Sequence, residues 1–187
     1  MKFHIILSLF VAMVLFSCKT EKEVEDVDTR MDEPTVTMTT AKADLTSKSG
    51  SKVKGSVTFK TLDDGTIMYN VTVTGLDDNS THAIHLHETG DCSADDATSA
   101  GGHWNPTGHD HGKLGKGEDF HLGDIGNLDA SDDGTASMSG TTDKWSMESG
   151  KENSIIGKAV IIHAGADDFT SQPSGNAGSR IACGVVQ

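Results

Sequence analysis

From about Thr39 onward, apolar and polar positions alternate with a period of two. Val53, Gly55, Val57 and Phe59 share one phase, and Ile67, Tyr69, Val71 and Val73 share another. Asp64-Gly65 supplies a tight turn between them. Successive side chains of a strand point to opposite faces, so this pattern predicts a β-hairpin. A second Asp-Gly turn, Asp133-Gly134, separates residues 125–130 from 135–139 and repeats the theme. Residues 155–162 are β-branched and nearly continuous in apolarity, which predicts a well-buried strand. No stretch carries a 3.6-residue period with caps. Regular strands with glycine-rich connections predict an all-β domain, an antiparallel sandwich or barrel. Residues 89–120 and 164–179 are too long to be plain turns, and loops of that length in a compact domain are functional or disordered. The first contains Cys92 and several histidines, which favours function.

The N-terminus has a different pattern. One early lysine, Lys2, precedes an apolar run from Ile5 to Phe16. At about twelve residues the run is too short to cross a bilayer and suits the apolar core of a signal peptide. It ends in Leu15-Phe16-Ser17-Cys18, similar to a bacterial lipobox in which Cys18 would take the lipid; Phe16 departs from the usual small residue. The alternative is ordinary secretion with cleavage nearby. Residues 19–37 are charged and poor in large apolar groups, as in a flexible tether. The expected organisation is a signal peptide over 1–17, a lipidated N-terminus and acidic linker over 18–38, and one domain over 39–187. The protein is thus expected to be exported to the cell envelope or periplasm, touching the membrane only through its lipid anchor.

Cysteine usage agrees with export. With Cys18 lipidated, Cys92 and Cys183 are left to form one bridge in an oxidising compartment; two separate buried thiols are the alternative. The 187 residues carry 28 acidic and 15 basic side chains, a formal net charge of −13. Such an acid excess argues against nucleic acid as a partner, since nothing would offset phosphate repulsion. At face value it also disfavours an anionic substrate.

Candidate chemistry lies in the histidines. Of nine, eight fall between positions 82 and 163. In the run THAIHLH, alternation places His85 and His87 on one face and His82, Ile84 and Leu86 on the other. Two imidazoles on one face can chelate one metal ion. His103, His111, the pair His121 and Asp124 in HLGD, and His163 in IIHAGADD follow along the chain. Imidazole suits copper and zinc, and mixed histidine and aspartate ligation suits zinc. His82 is expected to be a hydrogen-bonded core residue, His109 a loop residue, and Trp104 a packing residue.

The motif AIHLHETGDCS resembles the first copper-binding signature of the copper/zinc superoxide dismutases, and GNAGSRIACGVV resembles their C-terminal signature. GGHWNP, His111-Gly112, HLGDIGN and IIHAGADD fill the family's intervening motifs in the same order, so the resemblance spans residues 39–187. It implies a Greek-key antiparallel β-barrel or sandwich with two long functional loops. It also implies one copper and one zinc per subunit. His85, His87 and His163 match the ligands of copper alone, and His103 matches the imidazole that bridges both metals. His111, His121 and Asp124 match the remaining zinc ligands. Arg180 matches the arginine that attracts superoxide, and Cys92 and Cys183 match the family's disulfide partners. Asp167 falls where the family has a carboxylate linking a copper histidine to a zinc histidine.

The activity implied is dismutation of superoxide to oxygen and hydrogen peroxide by alternate reduction and reoxidation of copper, protecting the envelope. His103 would take and deliver a proton, and Arg180 would orient the anion. Two divalent metals and Arg180 can reverse the field locally, so the acid excess no longer excludes an anionic substrate. This chain departs from many eukaryotic members in its second loop, which is short and has no lysine between Asp168 and Arg180. Attraction close to the metals must therefore matter more. A non-enzymatic metal-binding domain on the same fold is the rival reading, and the completeness of the ligand set and arginine argues against it. The pattern leaves monomer and homodimer open.

Overall fold

The computed structural model describes residues 39–187. The expected signal peptide, Cys18 and the linker over 18–38 lie outside the described residues. Eight strands run β1 Thr40–Ser47, β2 Lys54–Thr61, β3 Ile67–Thr74, β4 Thr81–His87, β5 Gly126–Asp129, β6 Ala136–Thr142, β7 Ala159–His163 and β8 Arg180–Val185. The only helical turn among the described residues is a 3-10 turn at Thr98–Ala100. The strands form one antiparallel sheet in the order β5-β4-β7-β8-β1-β2-β3-β6. The β3–β4 and β6–β7 connections cross between strands that are not neighbours, and edge strands β5 and β6 approach each other, nearly closing a Greek-key barrel.

The alternating pattern packs the interior as expected. Ala41, Ala43 and Leu45 of β1, Val57 and Phe59 of β2, and Ile67, Val71 and Val73 of β3 are all buried. They face one another across the ladder as Ala43↔Val57, Ala41↔Phe59 and Val57↔Val71. Each fully buried Val, Leu, Ile or Phe contributes roughly 1.5–3 kcal/mol. Aromatics are few, and Trp145 plugs this end of the barrel. It lies 6.1 Å from the Phe59 ring and 5.4 Å from the Tyr69 ring, with its Nε1–H donated to Leu122 O at 2.8 Å.

Two readings of the pattern need correction. Asp133-Gly134 does make a turn, but β5 and β6 do not pair with each other: β5 pairs with β4 and β6 with β3. The turn links opposite edges of the sheet and hydrogen-bonds to the β3–β4 connection through Leu76 N–H to Gly134 O, 3.1 Å, and Asn79 N–H to Ser131 O, 3.1 Å. The apolar run over 155–162 is also not one strand. Gly157 has φ +77° and turns the chain, so β7 begins only at Ala159.

β7 is buried throughout, and apolar up to His163, because both of its faces are covered. Ile162 and Val160 face the barrel opposite Ile84 and Leu86 of β4. Ile161 and Ala159 face outward into a second apolar cluster with Ala97, Ala100 and Cys183, beneath the first long loop. His85 and His87, paired with Ile161 and Ala159, share that outer face. Cys92 and Cys183 are joined by a disulfide, with Cα atoms 5.8 Å apart, pinning the loop onto β8. Closing a span of 91 residues contributes roughly 4–5 kcal/mol in the chain-entropy picture.

Candidate metal centre

Four pieces of backbone bring the histidines together. β4 contributes His85 and His87, and His103 returns from the first loop to form an isolated bridge with His87. The segment 121–124 is laced to β4 through Leu86 N–H to Gly123 O, 2.9 Å, and to the first loop through Gly123 N–H to Trp104 O, 3.0 Å. Gly123 is required by this approach, since a Cβ there would lie 2.2 Å from Leu86 O. β7 contributes His163, at a register shift that sets it opposite Arg180 of β8.

The result is two clusters that share one imidazole. His85, His87, His103 and His163 form the first; His103, His111, His121 and Asp124 form the second. Within each cluster the ligand-type atoms all lie within 4.8 Å of one another. All seven residues singled out as metal-ligating converge here.

Hydrogen bonds to oxygen acceptors orient each ring. His87 Nδ1–H is donated to Gly101 O, 2.9 Å, and His163 Nδ1–H to Gly178 O, 3.2 Å. Their Nε2 atoms therefore carry lone pairs, and they face each other at 3.4 Å. His85 Nε2–H is donated to Asp167 Oδ2, 2.8 Å, and His111 Nε2–H to Asp167 Oδ1, 2.9 Å, so one carboxylate ties the clusters together from behind. In the second cluster His103 Nδ1, His111 Nδ1 and His121 Nδ1 lie 2.9, 3.0 and 3.1 Å from Asp124 Oδ1. Asp124 Oδ2 accepts the backbone N–H of Gly112 at 2.9 Å and of His121 at 2.8 Å.

Among the described residues, three buried ring nitrogens have no hydrogen-bond partner: His85 Nδ1, His103 Nε2 and His111 Nδ1. His111 Nδ1 is close to Asp124, yet the two atoms are not aligned as donor and acceptor. Leaving such atoms unpaired in a protein interior costs about 1–3 kcal/mol each. A cation bound by their lone pairs removes that cost, so this donor set fits a metal in each cluster.

Electrostatics separates the two clusters. Burial holds His87 at about 2, His103 at about 4 and His163 at about 3, so near neutral pH these imidazoles are uncharged and present lone pairs. At His111 burial also opposes the charge, but the two adjacent carboxylates, Asp124 beside Nδ1 and Asp167 bonded at Nε2, outweigh it and push the ring up to about 9. Asp124 lies well below the carboxylate range because contacts with His103, His111 and His121 outweigh its burial. The second cluster is thus electronegative enough to hold a cation, a proton included.

Arg180 completes the site. Its Nη1 and Nη2 donate to Ala97 O at 2.6 Å and Gly101 O at 2.7 Å. The guanidinium lines a cavity of about 400 Å³ with His87, His103, His121 and His163. His82 is buried in the barrel wall, with Nδ1–H donated to His163 O at 2.8 Å and Nε2 beside Ser80 Oγ at 2.6 Å. His109 is in the loop beside Asp119, 3.3 Å, and Trp104 packs in the core.

Two amides escaped the sequence reading. The Asn127 side chain accepts Asp167 N–H at 2.8 Å and donates to Asp167 O at 3.0 Å. Gln172 accepts His111 N–H at 2.8 Å and donates to His111 O at 3.0 Å. Their partners are 40 and 61 residues away, beyond any local spacing rule.

Comparison with known proteins agrees with this geometry. The family model described as copper/zinc superoxide dismutase (SODC) matches residues 53–186. Superoxide dismutase (Cu-Zn) 1 of Aquifex aeolicus, strain VF5, is 36% identical over 148 residues, covering 78% of this chain and 86% of the relative. The superoxide dismutase (Cu-Zn) of Talaromyces marneffei is 38% identical over 148 residues, covering 74% and 92%. Among solved structures, a double mutant of a SOD-like protein from Bacillus subtilis superposes with a TM-score of 0.68 at 34% identity, covering 77% of this chain and 95% of that one. The clock protein EA4 superposes with a TM-score of 0.72 at 33% identity, covering 83% and 98%.

Proposed function

The chain belongs to the copper/zinc superoxide dismutase family, and from that premise we propose how its own residues carry out the dismutation of superoxide to oxygen and hydrogen peroxide. His85, His87, His103 and His163 would hold copper, and His103, His111, His121 and Asp124 would hold zinc. Each chain would carry one ion of each metal. When bound, copper supplies the one-electron redox change and zinc the fixed charge beside it.

The remaining chemistry belongs to the chain. Two superoxide anions and two protons give one oxygen and one hydrogen peroxide. Arg180, held by the Ala97 and Gly101 carbonyls, offers its remaining donors to the anion in the cavity. His103 stays oriented through Nδ1 beside Asp124, while its Nε2 takes a proton and passes it to the departing product. Asp167 keeps the His85 and His111 rings in the tautomers that ligation needs.

The observation that carries this reading is His103, one imidazole shared by two complete clusters with an unpaired Nε2. The test is to purify the mature protein, measure bound copper and zinc, and assay superoxide removal in the same sample. One copper and one zinc per chain with dismutation is the expected result. The same metals without dismutation would leave only a metal-binding domain.

We further propose that the protein is exported and anchored at Cys18, protecting the cell envelope. The short apolar leader and the Cys92–Cys183 bridge, which suits an oxidising compartment, support this placement. No helix among the described residues is long and apolar enough to cross a membrane. Labelling with a radioactive fatty acid, lost in Cys18→Ala, checks the anchor.

A further inference from the structure

We propose that Gln172 is a positioning residue for His111, latching the second long loop over the zinc-side cluster; the inference rests on the zinc reading of His111 given above. His111 lies in a loop with no strand alongside it. The Gln172 amide takes that strand's place, accepting His111 N–H at 2.8 Å and donating to His111 O at 3.0 Å. The ring of the same residue is held at Nε2 by Asp167 Oδ1, 2.9 Å. Residues 167 and 172 of one loop therefore hold His111 at three points.

The Gln172 side chain has no burial to explain its place, because the residue is exposed. Ordering a long exposed side chain costs conformational entropy, and the paired hydrogen bonds account for it. The loop also closes on the ring itself. Gly175, at φ +63°, brings its backbone so near that a Cβ there would lie 1.8 Å from Asp167 Oδ1 and 2.7 Å from His111 Nε2. On the other side, Asn127 of β5 clamps the Asp167 backbone through both its N–H and its C=O. The connection runs from the barrel through Asn127, Asp167 and His111 to Gln172. Partners behind a ligand set its orientation and with it the strength of metal binding. The latch acts on zinc retention, whereas Arg180 acts on the anion.

The test uses the full mature protein loaded with copper and zinc, and the variants Gln172→Ala, Gln172→Met and Ser171→Ala. Gln172→Met keeps the length of the side chain and removes the amide. Ser171→Ala loosens the same loop, since Ser171 Oγ bonds Asp168 Oδ2 at 2.6 Å, without touching His111. Zinc retention is read by competition with a chelator, and ligand geometry by the visible bands of cobalt(II) substituted for zinc. Both Gln172 variants are expected to lose zinc about 10-fold more readily, with altered cobalt bands. Copper retention in them, and zinc retention in Ser171→Ala, should stay within about twofold of the parent on the same scale. Parent-like zinc retention and cobalt bands in either Gln172 variant overturn the latch, as does equal zinc loss in Ser171→Ala. A parent protein that takes up no zinc overturns the ligand reading, and the latch with it.

Discussion

In the proposed mechanism, substrate attraction depends on Arg180. It sits opposite His163 in the β7–β8 ladder, and the Ala97 and Gly101 carbonyls fix the direction of its fork. Hydrogen bonds to charged groups contribute about 1.5–3 kcal/mol each. Arg180→Ala is therefore expected to lower kcat/KM by about 10- to 100-fold, as such an energy converts to rate. Copper and zinc contents should not change, since Arg180 is not among the ligand atoms of either cluster. Unchanged kinetics at full metal content would remove Arg180 from the mechanism. The residues that converge on the two clusters could be read in the sequence because each sits in a short motif, such as HLH or HLGD. Gln172 and Asn127 could not. An amide is a common loop residue, and only the fold reveals that its two-point partner lies on a different loop.

Among the elements, the second long loop is organised by Asp168. Its Oδ1 accepts the backbone N–H groups of Thr170 at 2.9 Å and Ser171 at 2.8 Å, while Oδ2 binds Ser171 Oγ at 2.6 Å and Asn176 Nδ2 at 3.1 Å. Hydrogen bonds from Ser171 and Thr170 depress the Asp168 pKa below its ordinary value. A carboxylate with a depressed folded pKa stabilises above its unfolded value, and that contribution is lost as pH falls through the folded one. Amide protection at Thr170 and Ser171, corrected for intrinsic exchange, should hold at neutral pH and fade below the ordinary carboxylate range. In Asp168→Asn it should be about tenfold weaker already at neutral pH, the equivalent of one hydrogen bond. Equal protection in the variant would mean that the loop holds its shape by other means. Strand patterns were legible where one face is wet, as in β2 and β3, because alternation records the difference between the faces. Alternation does not say which strands pair, so the second Asp-Gly turn suggested a hairpin where the chain in fact passes between sheet edges. In β7 burial on both faces erased the alternation, and the start of the strand was lost with it.

For the whole molecule, the open question is how an anion reaches a protein with a net charge of −13. Two fields oppose each other: a distributed negative one, and a short-range positive one at Arg180 and at the metals proposed above. Their ranges differ. At 10 mM salt the Debye length is about 30 Å, so the acid excess over the whole surface acts on the approaching anion. At 0.1 M it is about 10 Å, and only charges around the cavity are felt. The second loop has no lysine between Asp168 and Arg180 to extend the positive field outward. Adding salt over this interval should therefore screen more repulsion than attraction, and kcat/KM should rise by about twofold, a small steering effect working against encounter. Arg180→Ala should show the same rise from a lower baseline, because the repulsive field is independent of that residue. A rate that instead falls steadily from 10 mM upward would mean that cations elsewhere on the surface guide superoxide. Charge reversal of Lys48 and Lys158, whose ammonium groups bond Cys92 O and Glu88 O in the disulfide loop, would then locate them.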